Sequence, residues 1–226
     1  MGVGHVALAL GAARAAPRLN VGWLVFAALV SDFLLGIFGF LGLEHATVPD
    51  DYAHRHYLLF TFPYSHGLLP LFLWAAIAGL FISRLSSLDR TRVFLVIAVV
   101  TLSHFVLDGI VHVAGLPMAG ENSPKFGLGL WNHLPFELSL ETLMAIIGVI
   151  IYLRLAGRES PGLSRYGMPI FVAVVTLLTW NQLFAKKPPP PQQLVPAWII
   201  VPLVFSALAY GLDRGRIRSL ASAPKA

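Results

Sequence analysis

The 226-residue chain has no cysteine, which excludes disulfides and thiolate metal sites and leaves no redox compartment to read from composition. It is also poor in charge. Asp, Glu, Lys and Arg make up 12% of the residues and hydrophobic residues 57%, whereas a soluble domain carries about 25% charged residues. Charge this sparse, interrupted by long apolar runs, places the chain in the membrane class. A basic n-region is missing as well. Met1–Ala13 carries no Lys or Arg, and Arg14 and Arg18 follow the first apolar run, so the N-terminus does not read as a secretory signal and is expected to be retained. There is no Walker loop, nucleophile-elbow pattern or HExxH, which leaves metal-assisted chemistry as the only enzymatic class with residues to support it. The net charge of +5 is distributed between apolar spans and not in one patch. That pattern is a topology signal and argues against nucleic acid as a partner.

What is present is a series of apolar stretches near the 17–25 residues needed to cross a bilayer. They lie at about 20–43, 66–83, 92–116, 137–156, 166–185 and 194–213. The opening segment, Gly4–Ala16, is too short to span and reads as a half-crossing or interfacial helix ending at Pro17. The expected fold is therefore all-α, a polytopic transmembrane bundle of about six spans plus a short N-terminal half-crossing helix, in one domain over 1–226. If Arg14 and Arg18 face the cytoplasm, alternation puts Arg84, Arg90, Arg92, Arg154, Arg158, Arg165, Arg214, Arg216, Arg218 and Lys225 on the same side. Those are 12 of the 16 basic residues, with only Arg55, Lys125, Lys186 and Lys187 opposite, as the positive-inside rule requires. The segments 44–65 and 117–136 become outer loops, and the Lys-Lys and proline run at 186–193 a stiff connector.

Ionisable residues inside spans cost about 2.5–3.5 kcal/mol each on insertion scales and mark function by default. Asp32 lies in LVSDFLLGI, and TLSHFVLDGIVH carries His104, Asp108 and His112 at i, i+4 and i+8, on one helix face. Glu137 and Glu141 share a face of the next span by the same spacing. Counted at ~1.5 Å per residue from the flanking arginines, His5, Asp32, His66, His104, Asp108 and Glu141 all fall roughly 18–27 Å up, in the outer half of the bilayer. Imidazoles and carboxylates without thiolates suit zinc or another borderline divalent ion. The candidate ligands are His5, Asp32, His66, His104, Asp108 and His112, too many for one tetrahedral zinc. Either two ions are held or some members orient the others, with Glu141 as a non-ligating general base. Blander readings are an interhelical hydrogen-bond network, Ser65 as N-cap of the second span, and Glu137 as a dipole partner in a first helical turn. Trp131, Trp180 and Trp198 are expected in the interfacial aromatic belt.

The pieces GHVALALGAARAAP, LVSDFL, LGLEHATV, YSHGLL, LSHFVLDGIVH and FGLGLWNHLPFELSLE resemble, in that order, a family of bacterial inner-membrane proteins, the membrane-bound metal-dependent hydrolases. The LexA-regulated inner-membrane hydrolases form a related branch. The likeness covers most of residues 1–157. It implies a helical fold in the bacterial cytoplasmic membrane and a His/Asp metal site at His5, Asp32, His66, His104 and Asp108, joined by His112 and Glu141. The wider grouping has been compared with zinc-dependent phospholipase C and single-strand nucleases, which implies a lipid or other phosphoester as substrate. Where that branch often shows PD-x-D, this chain has Ser31-Asp32-Phe33-Leu34, and of H-R-G-x-T-H-S only Tyr64-Ser65-His66-Gly67 remains. Two other readings stay open: a metal-ion or proton permease, since intramembrane Asp/His chains form relays, and a non-catalytic accessory subunit.

Overall fold

The computed structural model describes residues 2–158, 160–188 and 190–222; Lys225 and Pro189 lie outside them. The order of elements is α1 (Gly2–Ala12), α2 (Val21–Phe40), β1 (His45–Thr47), α3 (Tyr52–Arg55), β2 (Leu59–Thr61), α4 (Leu68–Leu85), α5 (Arg90–Val111), β3 (Leu116–Pro117), β4 (Lys125–Phe126), α6 (Leu134–Ala156), α7 (Gly162–Trp180) and α8 (Pro191–Ser222). The chain is an all-α bundle in which six helices are long and apolar enough to cross a membrane. Local signals start them. The Asn20 side chain accepts the Gly22 amide at the head of α2, and Asp89 accepts the Arg92 amide at the head of α5. Helix α8 opens on Pro191, where a missing N–H costs nothing, so the expected proline connector is shorter than its sequence. Its 32 residues run past the expected end at 213 and reach about 48 Å.

Outer faces are apolar and the interior holds the polar groups. Leu69, Phe72, Leu73 and Ile77 of α4 and Leu143, Ile146, Ile147 and Ile150 of α6 are exposed, while His5, His66, His104, Asp108, His112, Glu137 and Glu141 are buried. Such inversion suits a lipid surround. At the centre sits α1, packed on α2, α5, α6 and α7 with His5 and most of its apolar residues buried. Its 11 residues extend about 17 Å, half the hydrocarbon thickness, and its burial matches a half-crossing helix and not an interfacial one. Close approach allows this. A Cβ at residue 148 of α6 would stand 2.6 Å from the Ala7 carbonyl oxygen, so glycine lets α1 seat against α6. Likewise, a Cβ at residue 36 would stand 2.5 Å from Ile199 Cγ1, where α2 meets α8.

The two expected outer loops contain short antiparallel hairpins. Strand β1 pairs β2 with His45 opposite Thr61, and β3 pairs β4 with Leu116 opposite Phe126. The second hairpin ends on α5, where the Leu128 amide donates to the Gly109 carbonyl and the Gly129 amide to the His112 carbonyl. This changes the third span. It stops at Val111, and His112 is its extended C-cap residue, not a further helical position.

At the opposite end of the bundle, α8 is fastened by a buried ion pair. Arg216 donates to both carboxylate oxygens of Asp213, at 2.6 and 2.7 Å, and to the Pro17 and Leu19 carbonyls. The Val21 amide and the Tyr152 hydroxyl complete the Asp213 shell at 2.9 and 3.0 Å. Arg216, counted above with the exposed topology arginines, is instead fully buried.

Candidate metal centre

Asp108 is the hub. Its Oδ1 lies 3.1 Å from His5 Nε2, and its Oδ2 lies 3.2 Å from His104 Nε2, 3.5 Å from His112 Nε2 and 3.7 Å from His66 Nε2. His66 Nε2 is also 3.7 Å from Asp32 Oδ1 and 3.2 Å from His104 Nε2. Four imidazoles from α1, α5 and the turn before α4 therefore point at one carboxylate, and Asp32 of α2 joins from the side. Two sets of three offer ligand atoms within 4.8 Å of one another, His5–His104–Asp108 and Asp32–His66–His104. This buried His/Asp group is able to hold a metal ion.

Hydrogen bonds behind the cluster settle which atoms face it. His104 Nδ1 is 2.7 Å from the Ala28 carbonyl. A carbonyl only accepts, so Nδ1 carries a proton and Nε2 is the atom turned toward Asp108 and His66; in the neutral ring that atom would offer a lone pair to a metal. His66 Nδ1 is bonded to Ser65 Oγ at 2.7 Å. Metal-ligating histidines carry this kind of support on their second nitrogen, which fixes ring and tautomer. His5 is less supported. Its ring stacks on His104 at 4.0 Å, but its buried Nδ1 has no partner among the described residues.

The separations fit a small cation. Ligand bonds of 2.0–2.2 Å in a tetrahedron put neighbouring ligand atoms about 3.3–3.6 Å apart, and the distances above straddle that range. Lone pairs and carboxylate oxygens converging in a buried space repel one another unless a positive charge lies among them. Zinc matches the donor set, although imidazole and carboxylate also accept other divalent ions.

The remaining candidates stand further out. His112 touches Asp108 from the edge, covered by Trp131 at 3.9 Å between ring centres, and belongs to neither three-residue set. Glu141 Oε2 accepts the Gly4 amide at 2.8 Å, which ties α6 to α1 one residue before His5. Glu137 lies in the first turn of α6, the position expected of a dipole partner, and is buried beside Glu141 within its hydrogen-bonding reach. Ser65 does not cap α4, because Gly67 holds that position and the hydroxyl serves His66. Trp131 covers the site, and Trp198 lies 5.9 Å from Phe60 over it.

One contributor went unread in the sequence. Glu44 Oε1 accepts the Tyr64 and Ser65 amides at 2.7 and 2.8 Å, and so shapes the turn that presents Ser65 and His66. Burial raises its carboxyl above the ordinary value, and the Ser65 and Tyr64 hydrogen bonds offset only part of that. Its signal was position alone, the residue directly after the expected span in LGLEHATV. Among the site groups, only Asp32 reaches the surface, with its side chain 31% exposed. Compared with protein-family models, with curated proteins and with solved structures, the chain matches none.

Proposed function

We propose that this chain is a membrane-embedded, metal-dependent hydrolase of the bacterial cytoplasmic membrane, acting on a lipid or another phosphoester. The observation that supports it most is the orientation of His104: its Nδ1 is committed to the Ala28 carbonyl, so Nε2 faces His66 and Asp108 as a ligand. His104 Nε2 has one lone pair and is common to both three-residue sets. That favours a single ion held by His104 and Asp108 together with His66, Asp32 or His5, over two ions side by side. A bound divalent ion, zinc by the donor set, would supply Lewis acidity and a water nucleophilic near neutral pH. Ser65 and the Ala28 carbonyl orient two of the imidazoles, and His112 braces Asp108. Glu141, fixed on the Gly4 amide, is better placed to hold α1 and His5 than to take a proton. Asp32, the exposed member, marks the side from which water and substrate arrive.

A one-sided site also agrees with what lies beneath it. Val6, Leu10, Leu24, Val25, Ile97 and Val100 are buried in one continuous cluster between the histidines and the Asp213 end. This apolar plug weighs against a permease, which needs a polar path through the bilayer.

The test is metal content and turnover of detergent-purified protein. Wild type is expected to hold about one zinc per chain and to release product from a panel of phospholipids and soluble phosphoesters. His104→Ala with Asp108→Ala is expected to lose both. Negligible metal in both proteins removes the metal site. Bound metal without turnover on any panel member removes the hydrolase and returns the accessory or transport readings.

A further inference from the structure

The most arginine-rich cavity lies at the other end of α2, away from the histidines. It has a volume of about 500 Å³ and is lined by Arg18, before α2, and by Arg214 and Arg218, one turn apart on α8, with the end of α4 opposite. No acidic residue lines it. Among the described residues none of the three arginines has a carboxylate partner; Arg214 lies over the Tyr210 ring at 5.7 Å. The contrast within α8 is informative. Arg216, between them in sequence, is buried and bonded to Asp213, while Arg214 and Arg218 turn outward. The acid next along, Asp89, uses Oδ1 on the Arg92 amide.

Three guanidinium groups with no counter-charge make an anion site, and the planar fork of arginine matches phosphate oxygens in pairs. The rest of the wall is not polar. Trp23, Leu85 and Leu220 form an apolar side, and Trp23 with Tyr210, edge to face at 6.1 Å, is the aromatic pair expected at the level of lipid headgroups. A cavity with a cationic floor and an apolar side suits an amphiphile. Basic pockets between membrane helices on the positive side of a protein bind anionic headgroups for this reason, and the volume is that of a ligand site.

We propose that this cavity binds an anionic phospholipid, its phosphate held by Arg18, Arg214 and Arg218 and its acyl chain laid on the Trp23–Leu85–Leu220 side. The lipid joins three elements there: the turn after α1, the end of α4 and the last turns of α8. It is independent of the metal centre and of any hydrolysis there.

The test uses full-length protein in detergent, with thermal unfolding followed against added dioctanoyl phosphatidic acid, dioctanoyl phosphatidylcholine and inorganic phosphate. Phosphatidic acid is expected to raise Tm saturably and phosphatidylcholine to leave it unchanged. Arg18→Gln with Arg214→Gln and Arg218→Gln is expected to weaken the apparent affinity roughly tenfold or more. A charge-matched control, Arg84→Gln with Arg90→Gln and Arg158→Gln, should retain it. Should the triple variant fail to run as a monodisperse helical protein, Arg18→Gln alone carries the test, since no fold contact of that side chain is at stake. An equal response in the cavity variant and the control overturns the site. An equal response to phosphatidylcholine overturns the charge requirement, and an equal response to inorganic phosphate assigns the site to a free anion and overturns the lipid.

Discussion

Among the described residues the molecule buries two clusters of ionisable groups, one at each end of the bundle, and they are bonded to different kinds of partner. Around Asp213, donors and acceptors match. Both carboxylate oxygens are taken by Arg216, by Tyr152 and by the Val21 amide, and two further guanidinium N–H groups go to the Pro17 and Leu19 carbonyls. Around Asp108 the side-chain neighbours are the imidazoles of His5, His66, His104 and His112, and the Nδ1 proton of His104 is committed to the Ala28 carbonyl. A buried polar group that is fully matched ties elements together. One ringed by imidazole nitrogens offers a donor set that can hold a metal ion. Burial and charge alone do not separate these cases; the kind of partner does, a fixed guanidinium around Asp213 and imidazoles around Asp108.

The largest effect should come from breaking the matched cluster. Arg216→Met leaves Asp213 buried without its cation, which costs about 3–5 kcal/mol of stability, read by denaturant unfolding in mixed micelles. Zinc bound per folded chain should stay at the wild-type value. A loss below about 1 kcal/mol would mean that the pair is solvated in the membrane and that the two ends differ less than their bonding implies.

Breaking the other cluster should have the reverse signature. Asp108→Asn removes the charge at the hub and leaves most of the imidazole packing in place. With free zinc at 100 times its Kd, wild type should gain about 2.7 kcal/mol of stability, and EDTA should abolish the gain; the variant should show none. The metal-free variant should unfold close to metal-free wild type, far from the Arg216→Met value. If zinc stabilises the variant as much as wild type, Asp108 is part of a structural network like its counterpart.

How much of this was legible in the sequence follows the same division. The spans were readable because apolar runs of bilayer length have few alternative solutions. His104 and Asp108 were readable because i, i+4 spacing on a helix needs no tertiary knowledge. His5 is a residue that spacing alone does not distinguish from an interfacial histidine; the packing of α1 on α5 brings it to Asp108. What escaped was set by tertiary contact. His112 left the helix because Gly129 and Leu128 of the second hairpin take carbonyls at the end of α5. Glu44 is coupled to His66 only through the backbone of residues 64 and 65. Arg216 obeys the topology rule in sequence and yet is buried, since α8 continues as a helix where the apolar run ends. Charge pattern locates a residue across the membrane and does not say whether it meets solvent or a carboxylate.

The smallest effect probes the layer behind the histidines, where the two clusters resemble each other most, since both rely on backbone. Among the described residues Ser65 Oγ is the one hydrogen-bond partner of His66 Nδ1, so Ser65→Ala frees the ring to rotate and exchange tautomers. Loss of such an orienting partner lowers metal affinity roughly 10–100-fold, while the metal-free fold, left with one buried imidazole nitrogen unsatisfied, should lose about 1–3 kcal/mol. Glu44→Gln is the companion measurement. The amide oxygen of glutamine still accepts the Tyr64 and Ser65 amides, so affinity should remain near wild type, whereas Glu44→Ala should lower it as Ser65→Ala does. Competition against a chromophoric chelator reads all three. An unchanged affinity in Ser65→Ala would show that His66 is held by its stacking on Phe62, 4.5 Å away, and that packing, not a hydrogen bond, aims this ligand.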